Sequence, residues 1–308
     1  MALIEYDFPS ANGRDTIHSW IYEPVVAARA IVQIIHGLGE HSRRYLRLIS
    51  QLLDAGFVVV AEDHAGHGKT AMDSGIWGDA GDHADAVVVD DAATLLAHAR
   101  QLHPDLPVIV FGHSWGSMIA RVLAGREPVD ALALCGIAAQ MHGIERVLDR
   151  VALAAADPMA PSDQFAAGVF DGFTSRYGAD AGPTSWVAKD ENVVRDHGID
   201  PFNNFGVSQT VRFMQGFVTL YDRANSEQFY ASLPESVPVL ILAGDADPVT
   251  NYGEGAYHVA NRLVETGHAD VRCRVYTGFR HEVHNEPEIR DEVAAEIITF
   301  AERAIARG

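Results

Sequence analysis

The sequence has little cysteine, little positive charge and no long hydrophobic run. Its two cysteines, Cys135 and Cys273, each lie in an apolar stretch, which indicates free core thiols and argues against a disulfide framework or a metal site. Lysine and arginine number 23 against 42 aspartates and glutamates, a net charge of −19. This charge repels a phosphate backbone, so we expect no nucleic-acid partner. It also disfavours anionic membranes, although an apolar lid can still touch neutral lipid.

Membrane-spanning and exported proteins are disfavoured as well. No apolar run approaches the roughly 20 residues that cross a bilayer. The first residues lack the basic and then apolar pattern of a signal peptide, so we expect a cytoplasmic location. The chain has 308 residues, 48% of them hydrophobic, and no low-complexity tract. It is therefore long and apolar enough to form one large hydrophobic core with an insertion.

Short apolar runs alternate with longer helical patterns along most of the chain, which is typical of an α/β fold. Most runs lack in-and-out alternation, as expected for strands covered on both faces. The expected architecture is a mostly parallel central sheet with helices on both faces. The predicted strands are 30–36, 57–62, 108–112, 131–136, 237–244 and 271–276, and the predicted helices are 43–55, 85–102, 115–126, 252–266 and 288–306.

The alternation stops between residues 141 and 234. We interpret this segment as an inserted, mainly helical cap on a core domain formed by 1–140 and 235–308. Its phenylalanines are too numerous for a solvated linker, so they must pack within the cap, against the sheet or around a ligand. They are Phe165, Phe170, Phe173, Phe202, Phe205, Phe213, Phe217 and Phe229.

The pentapeptide 112–116, Gly-His-Ser-Trp-Gly, has the pattern G-x-S-x-G between a predicted strand and a predicted helix. This is the setting of a nucleophile elbow, in which glycines permit a tight, strained turn that exposes the serine. The following helix directs its N-terminal amides, notably that of Trp115, toward an oxyanion at a substrate carbonyl. We therefore predict that Ser114 is a nucleophile.

A nucleophilic serine needs a base and an orienting carboxylate, which follow an elbow in the order acid, then histidine. Asp245 and Asp247 both follow the predicted strand 237–244, and either can be the acid while the other serves the turn. His281 and His284 follow the last predicted strand. His281 is nearer the strand end, so we predict it as the base and expect His284 at the surface or behind the base.

A second oxyanion donor is expected in the loop His36-Gly37-Leu38-Gly39, where glycines let the backbone approach a substrate oxygen. We predict the Leu38 N–H for this role. A plain strand-to-helix turn would explain the same glycines. The loop therefore indicates an oxyanion donor only in combination with the predicted elbow, acid and histidine.

We assign no catalytic role to three carboxylates in or next to the candidate site segments, Glu40, Asp63 and Glu282. Each can cap a helix or pair with an arginine such as Arg43 or Arg280. The other histidines show no ligand spacing that would argue for zinc.

The segments 36–45 (HGLGEHSRRY) and 63–68 (DHAGHG) resemble monoacylglycerol lipases and related lysophospholipases. The resemblance continues through 244–249 (GDADPV) and 276–286, so it covers nearly the whole predicted sheet domain and is weakest in the cap. It implies an α/β-hydrolase fold, and it selects Asp247 as the acid.

The resemblance also implies His281 as the base and the Leu38 and Trp115 amides as oxyanion donors. A small residue or Met is common after the serine in this family, whereas a tryptophan follows Ser114 here. Its side chain either narrows the acyl pocket or packs beneath the elbow.

The implied activity is cleavage of carboxylic esters through an acyl-enzyme, with a monoacylglycerol or lysophospholipid as substrate and no cofactor. A small-ester carboxylesterase or an aminopeptidase-like amidase stays open, because the same triad serves many acyl substrates. The amidase would need cap carboxylates near the site. A non-catalytic ligand-binding protein is disfavoured because such proteins commonly lose a triad member. A dehalogenase would carry aspartate in place of Ser114.

Overall fold

A nine-stranded sheet organises the chain in the computed structural model, which describes residues 1–203 and 206–306. The strands are β1 (Ala2–Glu5), β2 (Phe8–Pro9), β3 (Thr16–Glu23), β4 (Ala30–Ile35), β5 (Phe57–Asp63), β6 (Val108–His113), β7 (Ala131–Cys135), β8 (Val239–Gly244) and β9 (Val271–Tyr276). Their order is β1-β3-β5-β4-β6-β7-β8-β9, with β2 paired beside β3. Neighbours from β5 through β9 in this order are parallel, and β1, β2 and β5 pair antiparallel with β3.

The six predicted strands are all present, with ends within two residues of the predicted ones. Every residue of β4, β5, β6, β7 and β8 is buried, which explains their continuous apolar runs. The prediction missed β1 to β3. β1 is an exposed edge strand, and β3 (TIHSWIYE) mixes polar and apolar residues, so neither shows the apolar run of a buried strand.

Eleven α-helices are found in the described parts of the chain. They are α1 (Leu46–Asp54), α2 (Gly68–Ser74), α3 (Ala84–Leu102), α4 (Trp115–Ala124), α5 (Arg150–Ala155), α6 (Asp163–Val169), α7 (Glu191–Ile199), α8 (Val211–Ala224), α9 (Glu227–Ser232), α10 (Glu254–Glu265) and α11 (Arg290–Ile305). No helix among the residues described has both the length and the apolar character needed to cross a bilayer.

The hydrophobic core lies in two layers, one on each face of the sheet. The alternation along β4 shows why: Ile31 and Ile35 belong to the layer that contains residues of α3, α4, α8 and α10, whereas Val32 and Ile34 belong to the layer that contains residues of α1 and α11. Helices on both faces of a mostly parallel sheet confirm the α/β-hydrolase architecture expected from the sequence.

The segment 141–234, which connects β7 to β8, contains α5 to α9 and a π-helical turn at Gly143–Val147. Side chains cap four of its helices: Asp149 caps α5, Asp190 caps α7, Thr210 caps α8 and Ser226 caps α9. α8 packs on α3 and α4 of the sheet layer, whereas α6 packs on the π-helical turn. The division into a core and a cap at residues 140 and 234 stays a prediction.

Six of the eight phenylalanines of this segment belong to the core layer that contains α3 and α4 or pack against it, and Phe202 instead contacts His41 and Arg43. Phe165, Phe173, Phe213, Phe217 and Phe229 are buried, Phe170 and Phe202 are partly buried, and Phe205 lies outside the described residues. Both cysteines are free, with Cys135 buried and Cys273 partly buried.

Candidate active site

Ser114 lies in a strained turn between β6 and α4. Its φ of 56° and ψ of −122° fall in a region that residues with a side chain rarely adopt. The turn is closed by two glycines: a Cβ on Gly112 would lie 2.4 Å from the carbonyl oxygen of Gly116. A Cβ on Gly116 would lie 2.2 Å from the carbonyl oxygen of Ile35. The backbone of β4, β6 and α4 therefore meets around the serine only because these side chains are absent.

This close packing predicts that Gly116→Ala is severely destabilising. The new methyl group would meet backbone oxygens of Ile35 and His36, which cannot rotate away, so we expect a loss of about 3 kcal/mol or more in the free energy of unfolding. Urea unfolding measures this loss. Gly198→Ala is the matched control, because nothing lies within 4 Å of a Cβ at this helical position and alanine favours helix by up to about 1 kcal/mol. Equal unfolding midpoints for the two variants would contradict the prediction.

His281 and Asp247 form a buried pair in the loops that follow β9 and β8. His281 Nδ1 lies 2.9 Å from Asp247 Oδ2, and both residues are almost completely buried. The other carboxylate oxygen of Asp247 accepts the N–H of Val249 at 2.9 Å. Asp245, the alternative acid, instead accepts the N–H of Gly278 at 2.6 Å. The structure therefore brings Asp247, and not Asp245, to the histidine.

The second ring nitrogen of His281, Nε2, takes no part in the contact with Asp247. Within the described ranges, His281 Nε2 is buried and has no hydrogen-bond partner. His281 and Ser114 line the same cavity. Burial alone would lower the pKa of His281, but the charge of Asp247 and the hydrogen bond to it outweigh burial and raise the pKa above its ordinary value.

The two predicted oxyanion donors border the cavity beside Ser114. Trp115 is the first residue of α4, where amides have no acceptor within the helix. Leu38 belongs to a loop held by the Gly37 N–H, which donates to Glu40 Oε1 at 2.5 Å. A Cβ on Gly37 would lie 3.0 Å from the Cβ of Ser114, so this loop runs directly against the serine.

The Trp115 side chain combines the two alternatives that the sequence left open. It is buried among the rings of His64, His67 and Phe213, with centroid distances of 5.3, 5.0 and 5.4 Å. It also lines the cavity. The tryptophan therefore both packs against the elbow and takes space from the cavity.

Three buried charged residues, Glu40, Arg44 and Glu282, form one side of the site, and we call them the polar wall. Arg44 Nη2 lies 2.6 Å from Glu282 Oε2, and Arg44 Nε lies 3.3 Å from Glu40 Oε2. The side chains of all three are at most 4% exposed. The expected pairing with arginine is thus found: Arg43 Nη2 lies 3.5 Å from Asp63 Oδ2, as expected, whereas Arg44 is the partner of Glu40 and Glu282. Arg280 instead donates to the backbone carbonyls of Ser185 and Ala188.

Both carboxyl groups of the polar wall are held in the ionised form. Burial alone would raise the pKa of Glu40, but the hydrogen bond with His113 and the charge of Arg44 lower it well below its ordinary value. Burial opposes ionisation of Glu282 as well, and the charge of Arg44 outweighs it and lowers the pKa. The wall thus holds two carboxylates and one guanidinium.

The structure narrows the expected position of one histidine near the polar wall and adds a second histidine to the cavity lining. His284 is buried and stacks on Tyr45 with 5.0 Å between ring centroids, so it is not at the surface. His197 of α7 is also buried and lines the cavity. Sequence analysis missed His197, because nothing in its local pattern shows that α7 folds over the site.

The remaining cavity lining is mostly apolar and includes residues of the 141–234 segment. The cavity has about 460 Å³ of empty space, counting its open mouth. Its apolar lining comprises Leu38, Trp115, Met118, Ala138, Met141, Phe170, Trp186, Val187, Phe217 and Val249. The lining around Ser114 therefore combines a large apolar part, suited to hydrocarbon, with a few polar side chains that can form hydrogen bonds.

A strained serine between a parallel strand and a helix, with a buried histidine–aspartate pair in the same cavity, defines the class of serine hydrolases with the α/β-hydrolase fold. Comparison with known proteins agrees. The profile of the family described as "Serine aminopeptidase, S33" (Hydrolase_4) matches residues 26–288. The chain belongs to this family, and it is a serine ester hydrolase.

Individual relatives are similar over their whole length. A solved structure described as "Lipase (Open form)" is 53% identical, with 99% of both chains covered and a TM-score of 0.96. A thermostable carboxyl esterase from Bacillus coagulans, in complex with glycerol, is 41% identical, with 99% of both chains covered and a TM-score of 0.95. The monoacylglycerol lipase of Mycolicibacterium smegmatis is 28% identical over 96% of this chain and 97% of its own. The resemblance to monoacylglycerol lipases is confirmed.

Proposed function

We propose that the protein hydrolyses single-chain acyl esters of the monoacylglycerol or lysophospholipid type through an acyl-Ser114 intermediate. The observation that carries this proposal is the mixed lining of the cavity around Ser114, which is mostly apolar and also includes Glu40 and Glu282 of the polar wall. A substrate with one acyl chain and one polar alcohol matches both parts of this lining.

The proposed mechanism uses the groups already described. His281 Nε2 takes the proton of Ser114 Oγ as this oxygen attacks the ester carbonyl, and Asp247 stabilises the resulting imidazolium. The Leu38 and Trp115 amides hold the oxyanion. Collapse breaks the ester C–O bond, and the imidazolium protonates the leaving alcohol. A water molecule that gives its proton to His281 then hydrolyses the acyl-enzyme and restores Ser114.

Unused hydrogen-bonding capacity supports placing the alcohol at the polar wall. In the described part of the chain, His113 Nε2 is buried and has no hydrogen-bond partner, and Glu40 Oε2 is buried with an ion pair to Arg44 Nε at 3.3 Å but no hydrogen bond. Both residues line the cavity, where an alcohol hydroxyl can donate to the carboxylate oxygen. The acyl chain then lies against Phe170, Trp186 and their neighbours, which supports a cap role for the 141–234 segment.

The aminopeptidase-like alternative has less support. It needs cap carboxylates to hold an α-amino group, but the carboxylates that line the cavity among the described residues are Glu40 and Glu282, both paired with Arg44. Asp190 and Asp196 of the cap segment border a different cavity. The geometry therefore favours ester substrates with neutral alcohols over peptides with a free N-terminus.

A series of glycerol monoesters with acyl chains of increasing length tests the proposed substrate. Octanoyl has six methylenes more than acetyl, and each one buried against the apolar lining contributes about 0.8 kcal/mol, so we expect kcat/KM to rise by up to about 3,000-fold before it levels off. Initial rates with Ser114→Ala as background provide the measurement. A preference for acetyl esters would indicate a small-ester carboxylesterase, and turnover of aminoacyl amides alone would indicate an amidase.

A further inference from the structure

We propose that the polar wall selects the leaving alcohol by charge, accepting neutral alcohols and rejecting those that carry a phosphate, with Glu282 as the residue that sets this selection. The inference rests on the proposed function and deepens it. It separates the two substrate types that the proposed function leaves together, because a monoacylglycerol has a neutral alcohol and a lysophospholipid carries a phosphate on it.

The charge of the wall follows from its contacts. The guanidinium of Arg44 is shared by two buried carboxylates, at 3.3 Å from Glu40 and 2.6 Å from Glu282. A third carboxylate, on the exposed side chain of Asp196, lies 3.6 Å from the same guanidinium. One positive charge thus faces more than one negative charge, and the two buried carboxylates leave the wall with a net charge of −1.

Two neighbouring histidines, His197 and His284, do not cancel this charge. Burial lowers the pKa of His197, and it lowers that of His284 to about 3, so both rings are neutral at neutral pH. His113 lies with Nδ1 3.0 Å from Glu40 Oε1, so it is a direct neighbour of the wall. His197 and His284 therefore leave the charge of the wall as its two carboxylates and one guanidinium set it.

The position of Glu282 is the reason that we assign the selection against phosphate to this residue. It directly follows His281, lines the cavity, and is 2% exposed. An alcohol leaving Ser114 toward the wall would bring its phosphate close to this carboxylate. Two unit charges about 8 Å apart, at an effective dielectric constant near 20, repel each other by an amount equivalent to about a thirtyfold change in an equilibrium constant.

The wall also has a second side with a different charge pattern. Arg44 borders a neighbouring cavity together with Arg195 and Arg290, where Asp190 and Asp196 also lie. A phosphate that reached this cavity would meet guanidinium groups. Preferential hydrolysis of phosphate-bearing esters would therefore contradict charge rejection and point to this neighbouring cavity.

The test compares 1-octanoylglycerol with 1-octanoylglycerol 3-phosphate at pH 8, below the concentration at which either aggregates. The two esters carry the same acyl chain, so their kcat/KM ratio reports the alcohol alone. We expect the wild-type protein to prefer the neutral ester by at least about tenfold. Glu282→Gln should reduce this ratio by about tenfold, because glutamine keeps an oxygen for Arg44 but removes the charge.

Glu235→Gln is the control for overall charge. Glu235 is exposed and precedes β8, at the sheet edge opposite to the site, so its loss should leave the ratio unchanged. Equal kcat/KM for the two esters in the wild-type protein, or an unchanged ratio in folded Glu282→Gln, would overturn the inference.

A competition measurement keeps the test valid if Glu282→Gln does not fold. Both octanoyl esters are added as competitors of p-nitrophenyl acetate hydrolysis by the wild-type protein, and the phosphate ester should inhibit at least about tenfold more weakly. Equal inhibition would overturn charge selection. A preference for short acyl chains would instead contradict the proposed function, and the octanoyl comparison would still report the charge effect.

Discussion

Replacing Ser114 with alanine is expected to lower kcat/KM for an acyl ester by at least about 10⁴-fold. The variant loses the only atom that attacks the carbonyl in the proposed mechanism, while His281 and Asp247 keep their mutual contact at 2.9 Å. The protein should stay folded, because the methyl group of alanine retains the Cβ that packs against Gly37. Initial ester hydrolysis rates and the thermal unfolding midpoint measure the two effects.

Ser175→Ala, at an exposed serine of the 141–234 segment, is the matched control and should be fully active. Covalent labelling with a fluorophosphonate supplies an independent measurement. The wild-type protein and Ser175→Ala should gain the mass of one adduct, and Ser114→Ala should gain none. Substantial hydrolysis by Ser114→Ala, or an adduct on another residue, would exclude Ser114 as the nucleophile.

Asp247→Asn should lower the maximal rate by about 10³- to 10⁴-fold and also move the acidic limb of the pH profile. In the wild-type protein the carboxylate raises the pKa of His281 above its ordinary value. The base works only when neutral, so kcat/KM should fall as the pH drops through this raised pKa. Without the carboxylate charge, burial dominates and lowers the pKa, so the limb should move to lower pH.

Asp245→Asn is the control for this prediction. Asp245 is two residues away and binds the N–H of Gly278, and asparagine keeps an oxygen for that contact. Both the maximal rate and the acidic limb should therefore stay close to those of the wild-type protein. A limb that moves with Asp245→Asn but not with Asp247→Asn would reverse the assignment of the acid.

The sheet illustrates which parts of the fold could be predicted. β4 to β8 are buried on both faces, so their apolar runs are visible without any knowledge of their neighbours. β1 and β3 lie on the antiparallel side and carry polar residues, so no local pattern distinguishes them. Helix α8 could be predicted only in part. Its amphipathic pattern indicates a helix, but the pattern does not show that this helix packs on α3 and α4.

The candidate site divides in the same way. The sequence by itself determined the elbow at Ser114, because the required glycines and the strand-to-helix order are local properties. Only the tertiary structure decided that Asp247 rather than Asp245 meets His281 through its side chain, and that His197 reaches the cavity. It also decided the charge of the polar wall, because Arg44 meets Glu282 across 238 residues of chain. The interaction between these charges depends on distances of a few ångströms between residues that are far apart in the sequence. The sequence does not show these distances, because they are set when the folded sheet brings the loops together.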